Sequence, residues 1–148
     1  MTDAPLVPAT FEPPLPPEHP AFLFEPLGPE HNESDLAAWS TSMEFIHSLP
    51  GWETSTWPPR VYTLEENLAD LERHRDHHRR HLDFAWTVLD PASREVIGCV
   101  YLWPDRTGVV DAKARSWTTL ARADLAPVLR DHLAPWWREA WPLEIRAD

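Results

Sequence analysis

Glycine is scarce in this sequence: Gly28, Gly51, Gly98 and Gly108 are the only four among 148 residues. No two of them lie close enough to form a phosphate loop of the GxGxxG or GxxxxGKS/T type, or the GxSxG turn that presents a nucleophilic serine. The sequence therefore gives no support to a dinucleotide-binding protein, a P-loop nucleotidase or a hydrolase with a nucleophile elbow.

Cysteine and long apolar runs are also nearly absent. Cys99 is the only cysteine, which excludes an internal disulfide and a CxxC metal site. No apolar run approaches the ~20 residues of a membrane-spanning helix, and the first residues lack the pattern of a signal peptide. We therefore expect a soluble, cytoplasmic protein with no membrane partner.

Basic side chains are outnumbered, with 13 lysines and arginines against 24 acidic residues and a net charge of -11. Proteins that bind nucleic acids need a basic surface to neutralise phosphates, so we expect no nucleic-acid partner. The acidic balance places no limit on small ligands.

Proline and tryptophan are abundant, with 17 and nine residues. Seven of the prolines fall within residues 1–20, where they favour an extended polyproline II backbone. We divide the chain into this Pro-rich N-terminal arm, residues 1–20, and a single domain, residues 21–148. The arm either packs on the domain or a partner subunit, or binds a proline-binding module through the PxxP spacing of Pro13 and Pro16.

The sequence of residues 21–148 predicts a series of strands and helices. An apolar strand over 21–24 precedes a helix that Asn32 or Ser34 caps, and Thr63 with Glu66 forms a capping box for a helix over 64–81. Three strands follow, over 84–89, 95–103 and 109–119, then a helix that Asp124 caps and Pro135 kinks or ends, and a last strand over 143–145. This order predicts an α+β fold with a mixed, mostly antiparallel sheet and flanking helices.

Residues 45–62 predict a long irregular segment, either an aromatic-rich loop or a broken helix, because they contain three prolines and a glycine. Trp52 and Trp57 lie within it, and tryptophans of irregular segments can line a ligand pocket. We assign these two residues to substrate binding; the alternative is that they fill the core.

Histidines repeat at i, i+4 spacing in the helix over 64–81: His74 with His78, and His77 with His81. Each pair could present two imidazoles to one metal ion, with Asp70 as the nearest third ligand. The alternative is a solvated basic helix face. Three arginines in the same stretch oppose a divalent cation, so we expect no metal site.

Other candidate groups carry weaker signals. Cys99 lies mid-strand among apolar residues, which favours an inert core residue over a nucleophile. Five acid–base candidates, each with a solvated surface position as the alternative, flank the irregular segment or lie near strands: Glu44, His47, Glu53, Asp111 and Glu144. The sequence alone nominates no catalytic base among them.

Four segments occur in a recognisable order over residues 21–146: FLFEPL before a helix, LEENLADLERH, FAWTVLDPASREVIGCVYLWP, and KARSWTTL before a further helix. This order resembles the GNAT N-acetyltransferase superfamily. The clearest piece is TVLDPASREVIGCVYLWP, which looks like the second and third strands of that family, with Gly98 in the I-G-x-V position. The resemblance implies a sheet that is splayed in the middle, with acetyl-CoA bound in the splay.

The resemblance also implies positions for the cofactor. In that family the pantetheine pairs with the fourth strand and the pyrophosphate lies on the loop and helix N-terminus that follow. The corresponding residues here are Ser116, Trp117 and Thr118 for the pantetheine, and Leu120 and Arg122 for the pyrophosphate. The family pattern Q/R-x-x-G-x-G/A reads TLARAD here, without glycine, so the chain looks like a shortened member that lacks the glycine phosphate loop.

The resemblance implies transfer of an acetyl group from acetyl-CoA to an unidentified amine, either a small molecule or a peptide N-terminus. The alternative is a degenerate GNAT-fold protein without catalysis that serves as a binding or assembly module. A third interpretation is a small-molecule binder that uses residues 45–62. A second copy of the chain could complete the sheet, which makes a homodimer a testable expectation.

Overall fold

Five strands form one sheet in the computed structural model of the protein, which describes residues 4–148. The strands are β1 (Leu23–Pro26), β2 (Phe84–Leu89), β3 (Val96–Pro104), β4 (Ala112–Thr118) and β5 (Ile145–Ala147), and they lie in that order across the sheet. The first four pair antiparallel, and β5 pairs parallel to β4. The predicted α+β class with a mixed, mostly antiparallel sheet is confirmed.

Four helices cover the two faces of this sheet: α1 (Asn32–Ser40), α2 (Met43–His47), α3 (Leu64–Arg79) and α4 (Leu125–Glu139). Alternation along β3 divides its side chains between two cores. Val100 and Leu102 pack on the face that α4 covers, whereas Cys99 and Tyr101 pack on the face that α1, α2 and α3 cover. None of the described helices is long and apolar enough to cross a membrane.

Gly98 allows β3 and β4 to approach closely. A Cβ atom at this position would lie 2.4 Å from the backbone oxygen of Trp117, which is closer than any non-bonded contact tolerates. The glycine of the I-G-C-V segment is therefore required by packing of backbone against backbone.

The predicted capping box is present at the start of α3. The Glu66 N–H donates to Thr63 Oγ1 at 3.0 Å, and the Thr63 N–H donates to Glu66 Oε1 at 3.1 Å. These two bonds satisfy donors that a helix N-terminus leaves free, so the local sequence sets where α3 begins.

Two N-cap predictions were wrong, and one of the two outcomes expected at Pro135 did not occur. The helix α4 does not end at Pro135 but continues to Glu139, because packing of the helix on the sheet offsets the one backbone hydrogen bond that the proline costs. Asp124 lies at the N-cap of α4 but makes no capping bond. Neither predicted residue caps α1, which begins at Asn32 itself, and the Ser34 hydroxyl instead accepts the Val96 N–H at 2.9 Å.

The described part of the N-terminal arm, residues 4–20, packs on the domain. The Leu6 N–H donates to the backbone oxygen of His81 at 2.7 Å, and Val7 is buried in the core beneath α4. His132 of α4 lies 2.7 Å from the backbone oxygen of Pro17. Residues 1–3 of the arm lie outside the described residues.

Candidate functional site

Along its outer edge, β4 forms backbone hydrogen bonds with β5 in its first half and with a side chain in its second half. β5 pairs only with residues 112–114, and the Asp148 N–H extends this pairing to the backbone oxygen of Ala114 at 3.1 Å. One step further along the edge, the Trp52 indole N–H donates to the backbone oxygen of Ser116 at 2.9 Å. Beyond residue 114, a side chain of the irregular segment therefore partners the β4 backbone at Ser116. The first residues of that segment, 45–47, form the end of α2.

Gly51 permits this close approach of the segment to β4. Its φ of 87° lies in the left-handed region, and a Cβ atom there would come within 2.4 Å of the Arg115 side chain and 2.5 Å of the Asp148 carboxylate. Arg115 and Asp148 form an ion pair at 2.8 Å directly below the turn. A side chain at position 51 would separate the segment from the sheet edge.

The predicted cofactor residues of β4 are engaged by the protein itself. The backbone oxygen of Ser116 accepts the Trp52 indole N–H, as described above. Trp117 is buried, and its indole N–H donates to the Tyr101 hydroxyl at 3.0 Å. The Thr118 hydroxyl donates to the backbone oxygen of Arg122 at 3.0 Å. The assignment of these residues to the cofactor stays a prediction.

The same holds for the loop after β4, where Leu120–Arg122 form one 3-10 turn before α4. The Leu120 N–H donates to the Ser42 hydroxyl at 2.9 Å. The Arg122 guanidinium pairs with the Asp90 carboxylate in the turn between β2 and β3. Backbone N–H groups of residues 92 and 93, together with Arg122, hold the pKa of Asp90 below its usual value. The one basic side chain of the predicted phosphate site is thus already neutralised.

Two cavities flank this edge. A cavity of about 930 Å³ lies between α1, the β2–β3 turn and the loop after β4, and its lining includes Arg122 and the acidic residues Glu33, Asp90 and Glu95. The second, of about 470 Å³, lies between α1, α3, the irregular segment and the face of β3 and β4; we call it the aromatic cavity. Its lining includes Asp35, Trp52, Trp57, Arg73, His74, Tyr101, Trp103, Arg106 and Arg115.

Aromatic rings form the walls of the aromatic cavity. Trp52 lies 5.5 Å from Trp57 and 5.7 Å from Tyr101 between ring centroids, and Tyr101 stacks on Trp103 at 4.9 Å. The His47 ring nitrogens lie 3.2 Å from the backbone oxygen of Trp52 and 3.0 Å from that of residue 58, which holds the irregular segment in its bent form. The structure therefore brings both predicted substrate residues, Trp52 and Trp57, to one cavity.

Asp35 lies at the floor of the aromatic cavity with only 4% of its surface exposed. The Asn67 amide donates to its Oδ2 at 3.1 Å, and the Asn67 side-chain oxygen accepts the Trp39 indole N–H at 3.1 Å. Burial raises the pKa of Asp35 to about 6. This is a carboxylate that changes charge close to neutral pH in an aromatic surrounding.

His74 also contributes to the wall. Burial, with a smaller contribution from Arg73, lowers its pKa to about 4, so the imidazole is neutral at pH 7. Its Nδ1 is buried and has no hydrogen-bond partner among residues 4–148. The ring centroid lies 5.8 Å from that of Tyr101. A neutral imidazole adds a polar group to the cavity without adding charge.

The other histidines of the predicted helix over 64–81 have separate structural roles, and His81 lies beyond the end of α3 at Arg79. His77 pairs with Asp83 at 2.9 Å, and the His78 ring contacts Phe84 edge-on at 4.9 Å between centroids. His81 lies 3.0 Å from the backbone oxygen of residue 8 in the arm. Among residues 4–148, no group of three histidine, cysteine or acidic side chains is arranged to hold a metal ion.

The remaining candidates lie away from both cavities. Cys99 is fully buried, and burial raises the pKa of its thiol well above the usual value, as expected for an inert core residue. Glu44, Glu53 and Glu144 are exposed. Asp111 accepts the Glu144 N–H at 2.8 Å and so joins the start of β5 to β4.

Sequence reasoning missed Asp35 and Arg106 as cavity residues. A signal for Asp35 was present, because Asp35 and Trp39 are four residues apart and so share the face of α1 that the apolar stripe predicts to be buried. An acidic residue on a buried face needs a partner or a ligand. Arg106 carried no such signal, since it lies in a polar turn.

No protein-family model and no curated protein matches this chain. Among solved structures, a protein described as "Putative GnaT-family acetyltransferase from Bordetella pertussis" is similar, with a TM-score of 0.52 and 18% identity over 83% of this chain and 71% of that one. An acetyltransferase of Trypanosoma brucei aligns with a TM-score of 0.47 and 16% identity over 86% of this chain and 82% of that one. The likeness to the Bordetella protein and the five-stranded mixed sheet, with β5 parallel to β4, show that this chain has a GNAT-like fold.

Proposed function

We propose that the protein is an N-acyltransferase that moves an acetyl group from acetyl-CoA to an amine held in the aromatic cavity. One observation carries this proposal: the aromatic cavity adjoins the edge of β4. Arg115 is a residue of β4, Trp52 is hydrogen-bonded to the edge of that strand, and both side chains line the cavity. An amine in the cavity and a thioester at that edge would lie side by side. Such positioning is the main requirement for direct attack of one bound group on another.

The acceptor has to be uncharged when it attacks the thioester carbonyl, so an ammonium must release a proton within the site. Attack then forms the new C–N bond, the C–S bond breaks, and CoA leaves as the thiol. The cavity walls would exclude water, which otherwise competes for the acetyl group. The acceptor is a small-molecule amine or a peptide N-terminus in this proposal.

Binding of acetyl-CoA, the acetyl donor, requires that three hydrogen bonds or ion pairs within the protein break. Pantetheine can pair with Ser116 only when the Trp52 indole leaves its backbone oxygen. Pyrophosphate can reach the Leu120 N–H only when the Ser42 hydroxyl releases it, and Arg122 only at the expense of its pair with Asp90. Each displaced contact costs about 1 kcal/mol, which a CoA-sized ligand can offset.

The test is a titration of the purified protein with acetyl-CoA, followed by thermal unfolding, together with detection of released thiol in the presence of an amine panel. We expect acetyl-CoA to raise Tm, because a ligand that binds only the folded state stabilises it. Free thiol should accumulate only when an amine is added. Absence of both effects at millimolar acetyl-CoA would overturn the proposal.

A second candidate function is favoured by the same closed contacts: a GNAT-fold protein that binds a small ligand in the aromatic cavity without catalysis. Three of the predicted donor positions are satisfied internally, and the loop after β4 has no glycine. The two functions differ in one measurement. A binding protein would bind the amine but would release no thiol from acetyl-CoA, even in variants in which the hydrogen bond between Trp52 and Ser116 has been removed.

A further inference from the structure

Charged groups are arranged by depth in the aromatic cavity. The carboxylate of Asp35, which is 4% exposed, lines the buried floor together with Trp52 and Tyr101. The side chains of Arg73 and Arg106 lie at the exposed rim, on α3 and on the turn after β3. The cavity is therefore negative at its floor and positive at its mouth, with aromatic walls between.

Most of the other charges that line the cavity are paired. Arg115 is held by Asp148 at 2.8 Å, and Asp83 by His77 at 2.9 Å. Asp70 accepts the Tyr62 hydroxyl and lies 3.8 Å from Arg73. Within residues 4–148 neither Asp35 nor Arg106 takes part in an ion pair.

The buried carboxylate has a geometric reason to prefer a cation. One of its oxygens accepts the Asn67 amide, and the Trp39 indole fixes Asn67 in turn, so the Asp35 side chain is held in place before any ligand arrives. An ionised carboxylate at 4% exposure is costly unless it gains an opposite charge. Aromatic faces beside it add a further attraction for an ammonium group.

We infer that the aromatic cavity binds a zwitterion whose ammonium and anionic groups lie at opposite ends of a flat apolar body. The ammonium meets Asp35 at the floor, the body packs against the rings of Trp52, Trp57 and Trp103 that line the cavity, and the carboxylate or phosphate meets Arg106 at the rim. The volume of about 470 Å³ accommodates a single aromatic ring with a substituent at each end. Identifying this ligand as the acetyl acceptor rests on the proposed function; its binding does not.

The experiment is calorimetric titration of the full chain at pH 7.5, without acetyl-CoA, with three matched probes. The probes are 4-(aminomethyl)benzoate, benzylamine, which lacks the anion, and 4-methylbenzoate, which lacks the ammonium. We expect the first to bind at least tenfold more tightly than either of the others, because only it meets both charges. Equal affinity for benzylamine or 4-methylbenzoate would overturn the inference, and so would absence of binding by all three.

Two variants assign the ends of the ligand. Arg106→Gln should lower the affinity of 4-(aminomethyl)benzoate to that of benzylamine, whereas Arg60→Gln, an exposed arginine outside the cavity, should leave it unchanged. Asp35→Asn should weaken both amines at least tenfold and leave 4-methylbenzoate unchanged. Because Arg106 is exposed, its variant keeps the test decisive if Asp35→Asn folds poorly; no loss in Arg106→Gln would overturn the inference.

Thiol release separates this inference from the proposed function. If 4-(aminomethyl)benzoate binds as expected, and acetyl-CoA neither raises Tm nor yields thiol with this probe or with the amine panel, the zwitterion site stands and the acyltransferase proposal fails. If an amine of the panel releases thiol but 4-(aminomethyl)benzoate does not bind by calorimetry, the acyltransferase proposal stands and the zwitterion site fails.

Discussion

The indole N–H of Trp52 donates a buried 2.9 Å hydrogen bond to the backbone oxygen of Ser116, 64 residues further along the chain. The pairing of β5 with β4 ends at residue 114. The Trp52 side chain provides the next hydrogen bond along that edge of β4. It also places one ring face in the aromatic cavity. Trp52 therefore couples the edge where a donor would bind to the cavity where an acceptor would bind.

The first prediction concerns that bond. Trp52→Phe keeps an aromatic ring but removes the indole donor, which leaves the Ser116 oxygen without its partner. We expect a loss of about 1–3 kcal/mol in the free energy of unfolding, measured by urea denaturation. We also expect tighter acetyl-CoA binding by calorimetry, since the donor no longer has to displace the indole.

Trp57→Phe is the matched control, because the hydrogen bonds of residues 4–148 include none from the Trp57 indole. It should lose less stability than Trp52→Phe and leave acetyl-CoA affinity unchanged. Equal effects of the two substitutions would mean that ring volume, and not the bond to Ser116, holds the segment on β4.

The second prediction concerns Arg122, whose guanidinium pairs with Asp90. Asp90→Asn keeps an oxygen for the turn N–H groups but removes the opposing charge, which frees Arg122 for a phosphate. Acetyl-CoA affinity should rise severalfold, because the freed guanidinium no longer has to leave a carboxylate to meet a phosphate. Arg122→Ala should lower affinity, whereas Arg138→Ala, an exposed arginine near the end of α4, should have no effect. Unchanged affinity in Arg122→Ala would exclude it from the donor site.

The sequence predicted the fold well where short-range chemistry decides it. Thr63 and Glu66 fixed the start of α3 through adjacent backbone donors, and the I-G-C-V segment identified the central strand. It left open whether Pro135 kinks α4 or ends it, and the helix continues because long-range packing outweighs the lost hydrogen bond. Composition and spacing describe neighbours along the chain, and the energy of α4 comes from contacts across the sheet.

The site was predictable only in part for the same reason. An irregular segment with two tryptophans indicated a pocket wall, and Trp52 and Trp57 do line one cavity. The partners of Ser116, Leu120 and Arg122 come from residues 32 to 78 positions away, so no local pattern reports that these groups are already engaged. The floor carboxylate of Asp35 depends likewise on the packing of α1 against α3 and β3.

The third prediction tests the close approach of β3 and β4. Gly98→Ala would place a methyl group 2.4 Å from the backbone oxygen of Trp117, which the strand pair can relieve only by moving apart. We expect a loss of more than about 2 kcal/mol in unfolding free energy. Gly108→Asn is the control, since its φ of 74° suits asparagine and no atom lies within 4 Å of the added Cβ. Its unfolding free energy should change by less than about 1 kcal/mol. A Gly98→Ala variant as stable as the natural chain would show that the strands can separate there without cost.

The fourth prediction concerns the pH dependence that buried Asp35 imposes on stability. Burial raises its pKa from 3.8 to about 6, although Asn67 and His31 act in the opposite direction and Asp70 adds to the increase. Between about pH 4 and pH 6 the folded protein therefore holds a proton that the unfolded chain has released. Stability falls as pH rises through this window, and above it the cost is constant at about 3 kcal/mol.

His74 acts with the opposite sign in nearly the same window. Burial lowers its pKa from 6.5 to about 4, so the unfolded chain binds the extra proton and stability rises with pH. The two groups offset one another in the natural chain. Asp35→Asn keeps the oxygen that accepts the Asn67 amide but removes the charge, so Asp35 no longer opposes the contribution of His74. The stability of the variant should therefore rise from pH 4 to pH 6.5.

The measurement is the difference in unfolding free energy between Asp35→Asn and the natural chain, by urea denaturation from pH 4 to pH 7.5. The difference should be near zero at pH 4 and should reach about 3 kcal/mol in favour of the variant above pH 6. Asp131→Asn, on the exposed face of α4, is the control, and its difference from the natural chain should not vary with pH. The more stable variant should also be the one that no longer binds the amine probes, because the carboxylate that destabilises the empty cavity is the group that an ammonium would neutralise. A difference that does not vary with pH would show that Asp35 is hydrated in the folded protein and does not serve as a buried anion.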